Sequence, residues 1–436
     1  LEIPSIYALY QKADYTVITD SRQLNGQNCI FFALRGERFD GNQYALEALQ
    51  KGAIAAVVDD DKLAGIAGCI YVKNALVALQ QLANYHRLRL NIPIIAVGGS
   101  NGKTTTKELI YRVLQEKFRV FATPGNLNNH IGVPLSLLSI KPDVEIAVIE
   151  MGANALLETQ LLCEIAAPNY GVVTNVGLDH LEGFGSIESV AKANAELYDY
   201  LAAHNGTAFI NTQEPFLQEL AQKVPYKITY PQKTDSCHVE AIDSDFFVTI
   251  SDKNHQKTVT QLYGNYNFAN VATAFCVGTY FEVANHLIHA AIKSYKPSNN
   301  RSQLIQAANG NIIICDAYNA NPSSMEAALR QFVAISATHK IAIIGDMLEM
   351  GTYSEHYHKQ IGTVSQAITA QGGEVWLCGA AMKAALATNP KALHFEHTQA
   401  VQTYLAQRNI KNTHILLKAS RGIGLEKLLP TLNPSA

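Results

Sequence analysis

The segment GGSNGKTTT, residues 98–106, follows directly on the apolar run IPIIAV. Glycines at 98, 99 and 102 let a backbone approach phosphate oxygens and aim N–H groups at them, and a helix opening at Thr104 adds its dipole. Lys103 is placed to bridge β- and γ-phosphates, and the Thr104 hydroxyl to join a Mg²⁺ shell. Gly99, Ser100, Asn101, Gly102 and Thr105 complete the loop. The turn is one residue shorter than the common phosphate-binding pattern, which needs a glycine at position 97, where the chain has Val97. A plain strand-to-helix turn gives little reason for such a composition, so the loop is read as an ATP site.

Other residues stand where chemistry is done in α/β proteins. Glu150 ends the run EIAVIEMG, and a carboxylate at the tip of a parallel strand lies where ligands bind. His180 follows the strand-like run YGVVTNVG in the same kind of place. Asn267 and Asn270, three apart, share a helix face. Their amides donate and accept together, which suits an adenine edge; a helix cap and a surface residue are the alternative.

The elements that must position these residues are legible from periodicity. Residues 1–90 read as a small α/β unit, with strands in 28–36 and 54–60 and helices in 44–53 and 75–90. Residues 91–296 alternate buried-type strands with helices, then show a period-two β-meander between 237 and 264. KPSNN, residues 296–300, is the best linker candidate. Residues 297–436 hold a third βαβ series on NIIICDA, KIAIIGD, EVWLCG and THILLKAS. The expected fold class is α/β in three domains: a small N-terminal unit, a central phosphate-loop ATPase domain with a mostly parallel sheet, and a Rossmann-like C-terminal domain.

Composition bounds the partners. The 436 residues are 48% hydrophobic and 16% charged, with a net charge of −3, which argues against a nucleic-acid surface. The seven cysteines (29, 69, 163, 237, 276, 315, 378) form no C-x-x-C pair and read as reduced core thiols. No run approaches the roughly 18 apolar residues of a membrane span. The opening LEIPSIYALYQKAD lacks a basic stretch and cleavage site, so a cytoplasmic, monomeric enzyme without membrane insertion is expected.

GSNGKTTT resembles the short phosphate loop of the Mur ligases and folylpolyglutamate synthetases, and GNLNNHIGVPLSLL, EMGAN, TNVGLDHLEGFGS, DAYNANPSSM, IGDMLEMG and LKASRG extend the resemblance along the Mur ligase family. DSR (20–22) and FFALRGERFDG (31–41) carry it into the first unit. The resemblance implies ATP- and Mg²⁺-dependent amide ligation. ATP phosphorylates the carboxylate of UDP-N-acetylmuramoyl-tripeptide, and the amine of D-alanyl-D-alanine attacks the acyl phosphate. It also implies that Glu150 and His180 hold Mg²⁺ with Thr104, with Asn175 orienting the loop after the strand. By the same resemblance Asn267, Asn270, Arg301 and Asp316 meet the nucleotide, so the site is complete only when the third domain closes. Ser21 and Arg22 fall on the uridine-diphosphate pocket, where Asn42 stands for the family's His. Asn128 and Asn129 fall on a loop that holds the muramoyl-peptide. Tyr318, Asn319, Asn321 and Arg421, with Lys418 and Ser420, are candidates for the dipeptide side, Arg421 pairing with its carboxylate. Tyr266 replaces the His that usually precedes the first adenine-contact Asn. A sister amide ligase, a folylpolyglutamate synthetase, or a nucleotide-gated binding protein that hydrolyses ATP slowly are the rival readings. The uridine-type first unit argues against folate.

One position departs from the family. Many members carry, fourteen residues after the metal His, a lysine carbamylated by CO₂; here that position is Asn194. The flanking Glu196 agrees with the family, and Lys192 lies about 200° around a helix. An amide forms no carbamate. Activity in CO₂-depleted, mildly acidic buffer should therefore not recover on adding bicarbonate, and a bicarbonate-dependent rise in rate would refute the register.

Overall fold

The computed structural model describes residues 2–244 and 246–433. Three parallel-rich sheets follow one another along the chain. The first has four parallel strands in the order Val17–Ile18, Cys29–Phe32, Ala53–Val58, Cys69–Tyr71. Helices Ile3–Lys12 and Ala75–Leu90 pack together in the same core, the first of them not foreseen from periodicity. Asn42 is a structural hub here, its amide donating to Asp40 and Asp59 while its carbonyl accepts the Asp59 N–H.

The second sheet has six parallel strands, in the order Tyr226–Tyr230, Thr207–Asn211, Tyr170–Val173, Ile94–Gly98, Ile146–Glu150, Val120–Ala122. Its central strands are apolar at nearly every position because both faces are covered. Ile94 and Ala96 pack on one side with Ala147 and Ile149, while Ile95 and Val97 pack on the other with Ile146 and Val148. Strand Ile94–Gly98 is flanked by the other two strands of interest, with Val97 opposite Glu150 and Gly98 opposite Val173. Register alone therefore brings the glycine loop, Glu150 and the segment after Val173 to one sheet edge. The meander is a three-stranded antiparallel sheet, Val239–Ile242, Phe247–Asp252 and Lys257–Tyr263, covered by helices Phe268–Tyr280 and Asn285–Ser294.

The third sheet runs Gln303–Gln306, Ile312–Asp316, His414–Lys418, Lys340–Gly345, Glu374–Cys378, Leu393–Phe395. Only its first strand is antiparallel; this edge strand starts three residues past KPSNN and carries no sequence signal that distinguishes it from a loop. Asp316 pairs in register with Lys418, so the loops leaving those two strands emerge side by side. The third sheet docks on the second unit through an apolar seam that includes Leu181 and Tyr263, both buried in one cluster with Met347 and Met350. All seven cysteines are unbridged, six of them buried, as the sequence implied. Among the described residues no helix is long and apolar enough to cross a membrane.

Two buried histidines fix packing by being neutral. His86 accepts from Tyr7 on Nδ1 and donates from Nε2 to the Ile140 carbonyl. His358 accepts the Met347 N–H on Nε2 and donates from Nδ1 to the Ser354 carbonyl. Burial pushes both below the ordinary histidine value, and a second proton would break an accepting contact in each. Their contribution to stability is full above about pH 6.5 and is lost as pH falls from there through their lowered folded-state values. Thermal stability should therefore begin to fall below about pH 6.5, and the His86→Gln/His358→Gln double variant should show a shallower fall; equal slopes would dismiss the assignment.

Candidate active site

The loop closes on itself more than its composition suggests. Gly99, at φ +116, lies so close to the Thr174 hydroxyl and N–H that a Cβ would collide with them. Gly102, at φ +82, lies against the Asn270 carboxamide in the same way. Helix Lys103–Leu114 then begins, and its first turn supplies the N–H groups without intrahelical partners. The Lys103 ammonium sits 2.5 Å from the Gly99 carbonyl and 3.1 Å from that of Ser100. Two of its three protons are thus spent on the loop, leaving one for an anion.

Ser100 and Asn101 are not left facing an anion. The Ser100 hydroxyl donates to Asp179 and accepts the Gly177 N–H, and its own N–H goes to the Asn175 carbonyl. The Asn101 N–H donates to the Asn175 side chain, whose amide returns to the Asn101 carbonyl. Asn175 thus braces the phosphate loop at Asn101. Thr105 is 8% exposed, within the helix.

Glu150 is the electrostatic centre. It is 1% exposed, so it is not a solvated strand end. Oε1 accepts from the Thr104 hydroxyl at 3.1 Å and from the Asn128 amide at 2.8 Å. Oε2 is buried with no hydrogen-bond partner, and the Lys107 ammonium stands 3.4 Å away. Lys107 is itself 2% exposed and donates to the carbonyls of Thr123 and Gly125. It was missed in the sequence, because a lysine four residues past Lys103 reads as an ordinary helix residue. An orphaned carboxylate oxygen beside a threonine hydroxyl is an all-oxygen set that fits a hard cation such as Mg²⁺.

His180 does not join this set. Its Nδ1 lies 2.5 Å from Glu349 Oε2, at φ +46, and the neighbouring Glu182 N–H reaches the Glu349 carbonyl. Among the described residues no cluster of three or more His, Cys, Asp or Glu side chains exists. The resemblance sets His180 on a second Mg²⁺, apart from Glu150; in this structure its imidazole is held by Glu349, from an element of the third unit. Glu349 lies within GDMLEMG, a motif noticed in the sequence without a role. Asn194 donates back to the Val190 carbonyl, and Lys192 is exposed. Glu196 accepts the N–H groups of Leu157 and Gln160 and so caps helix Glu158–Ala166, where its charge suits the dipole.

The remaining expected residues divide. Asn267 and Asn270 do share a face, but as a buried staple: Asn270 donates to Asn267, Asn267 to the Tyr263 carbonyl, and Thr106 to Asn270. Their amide edges are committed under Gly102, so the adenine-edge reading is not supported by the arrangement seen. Tyr266 is half-buried, with its hydroxyl 3.1 Å from Ser302. Asp316 accepts from the Ser302 N–H and holds the Lys418 ammonium at 2.5 Å, so it braces two strands instead of facing a nucleotide. Asn319 turns its carbonyl toward Lys418. Asn321 caps helix Pro322–Ala334 and donates to Asn101 at 2.8 Å, tying the third unit to the phosphate loop instead of facing a dipeptide. The Ser420 hydroxyl accepts the Leu348 N–H. Asn129 accepts the Ile131 and Gly132 N–H groups at the start of helix Gly132–Leu138. Ser21 and Arg22 lie on the surface, Arg22 paired with Asp20.

Between the second and third units lies a cleft of ≈ 270 Å³. Thr104, Gly125 and Asn126 form one wall, and Arg301, Tyr318 and Arg421 stand on the other. The Arg301 guanidinium stacks 3.6 Å from the Tyr318 ring centroid, with that of Arg421 at 5.2 Å. A second hollow of ≈ 300 Å³ borders Lys107, Glu108, Tyr111 and Phe121 behind the site and gathers no comparable chemistry.

Comparison with known proteins agrees with this geometry. Residues 15–97 match the Mur ligase family, catalytic domain; residues 97–278 the Mur ligase middle domain; and residues 300–421 the Mur ligase, glutamate ligase domain. UDP-N-acetylmuramoyl-tripeptide--D-alanyl-D-alanine ligase of Bacillus subtilis (strain 168) is 33% identical, over 97% of this chain and 94% of that protein. A crystal structure of MurF from Acinetobacter baumannii superposes with a TM-score of 0.87 at 25% identity, covering 98% of both chains. MurF ligase from Thermotoga maritima in complex with ADP gives 0.84 at 25% identity, covering 96% and 97%. With the loop, the buried carboxylate and the two-walled cleft in place along its whole length, the chain belongs to the Mur ligase family.

Proposed function

We propose that this chain is an ATP-dependent acid–D-amino-acid ligase that joins D-alanyl-D-alanine to UDP-N-acetylmuramoyl-tripeptide in peptidoglycan precursor synthesis. The observation that carries the reading is the near full-length likeness to a ligase of that name, on a chain whose phosphate loop faces a cleft with two arginines. Residues 1–90 serve the uridine nucleotide, 91–296 the ATP, and 297–436 the dipeptide. The enzyme works in the cytoplasm as a monomer, and its product supports cell shape and division.

A carboxylate is a poor electrophile, so the tripeptide carboxylate must first take the γ-phosphoryl group. Two anions have to meet, and fixed positive groups at that point act where charge develops. Lys103 and the first turn of its helix receive the phosphates, and Arg301 approaches from the other wall. Thr104 and Asn128 hold the Glu150 carboxylate in one orientation, and Lys107 balances its charge. Glu150 and the Thr104 hydroxyl are the groups that would hold Mg²⁺, which would supply neutralisation of phosphate charge there. The Asn128–Asn129 loop, tied to Glu150 and to Lys107 through Gly125, keeps the acceptor beside the phosphate loop. The free amine of the dipeptide then forms the C–N bond as the C–O bond of the acyl phosphate breaks; phosphate leaves with that electron pair and takes up the proton the nitrogen sheds.

Phosphate release should require the tripeptide and reach steady turnover only with D-alanyl-D-alanine present; Lys103→Ala should cut it by about 10² or more while retaining the fold. Equal ATP hydrolysis by the enzyme alone would refute the reading. Lys107→Met should leave a buried carboxylate uncompensated, at a cost of about 3–5 kcal/mol in unfolding free energy. Added Mg²⁺ should recover part of that loss in a thermal melt, and a variant as stable as the parent without Mg²⁺ would show that Lys107 does not balance Glu150.

A further inference from the structure

Two carboxylate oxygens are buried with no hydrogen-bond partner among the described residues: Glu150 Oε2 and Glu426 Oε2. The first is explained by the cation site. The second belongs to a residue that no sequence motif singled out, on the 3-10 helix Leu425–Leu428, and Glu426 lines the same ≈ 270 Å³ cleft as Thr104. A carboxylate oxygen held out of water without a donor is costly, and a cationic donor from a ligand would relieve it.

The surroundings specify which cation. Arg421 and Arg301 flank Tyr318 in the same wall, and the Arg421 Nη1 reaches toward the Tyr318 hydroxyl at 3.5 Å. A ligand end that meets Glu426 must be positive, and an end that meets the arginines must be negative. Glu426 repels phosphate, so the nucleotide belongs at the Thr104 side, against Lys103. What suits the remaining end is a small zwitterion, and a dipeptide spans at most about 7 Å when extended.

We propose that Glu426 binds the α-ammonium group of the incoming dipeptide while Arg421 takes its carboxylate. This assignment rests on the ligase reading above and names how its second substrate is recognised. Glu426 then explains why a free amine is selected over neutral or anionic compounds of equal size. It also holds that nitrogen in the cleft that Thr104 faces, where the Glu426 carboxylate takes the proton the ammonium must lose before it becomes the nucleophile.

The test is a kinetic split. Glu426→Gln should raise KM for D-alanyl-D-alanine by at least about 10-fold while KM for ATP and for the tripeptide stays within about twofold. Trapping of the acyl phosphate by hydroxylamine, with ATP and tripeptide alone, should proceed at the parent rate, because it does not use the ammonium site. On the unmodified enzyme, N-propionyl-D-alanine, which lacks only the amine, should compete with the dipeptide at least about 10-fold more weakly than the dipeptide's own affinity. That measurement decides the matter if the variant does not fold. An unchanged dipeptide KM in Glu426→Gln, or equal binding of the des-amino analogue, would overturn the assignment while ligation by the parent enzyme stands. Failure of the parent to ligate the dipeptide at all would instead remove the functional reading itself.

Discussion

A carboxylate withdrawn from water at the end of a central strand has to be compensated where it stands, and Glu150 organises the second unit through that requirement. The Thr104 hydroxyl, the Asn128 amide and the Lys107 ammonium come from two separate segments to meet it. Each of those partners has a second task. Thr104 opens the phosphate-loop helix, Asn128 fixes the acceptor loop by accepting the Gly152 N–H on its carbonyl, and Lys107 holds the Thr123 and Gly125 carbonyls. The charge therefore sets the relative positions of nucleotide loop and acceptor loop, the two things a phosphoryl transfer must align.

The third unit reaches this centre by a few specific contacts. Asn321, at a helix N-cap, donates to Asn101 of the phosphate loop, and the Ser323 hydroxyl accepts the Leu178 N–H. Glu349 takes the His180 ring, and Leu181 beside it enters the third unit's core. Burying a leucine contributes about 1.5–3 kcal/mol, whereas polar contacts of this kind add about 1 kcal/mol each. The docking thus depends on an apolar seam in which Leu181 and Tyr263 enter the third unit's core and Leu178, Phe246 and Tyr266 pack against it, with hydrogen bonds fixing the orientation. Those hydrogen bonds involve the phosphate loop itself, so the third unit's position and the loop's geometry are linked physically.

Asparagine carries much of this architecture. Asn42, Asn267, Asn270, Asn175 and Asn321 all use their amides inside the protein, where each side chain satisfies a donor and an acceptor at once. In a chain whose motifs are dense in asparagine, these residues hold loops in register. Asn126, Asn299 and Asn300 do line the cleft, and the charged and aromatic residues there, Arg301, Tyr318, Arg421 and Glu426, come from three different segments of the third unit.

The sequence by itself determined the parallel sheets, because strands buried on both faces must be apolar at every position, and it determined the phosphate loop, because glycines and a helix start act over a few bonds. It also placed Glu150 at a strand end, since strand length and register follow from the same local pattern. Which partner each polar side chain takes was decided only by the tertiary structure. His180 met Glu349 instead of Glu150, Asp316 met Lys418 because two strands distant in the chain lie in register, and Lys107 found Glu150 across the end of the sheet. A carboxamide or carboxylate carries the same donors and acceptors wherever it stands. Its role depends on the group that long-range packing brings within about 3 Å, and no local pattern encodes that distance.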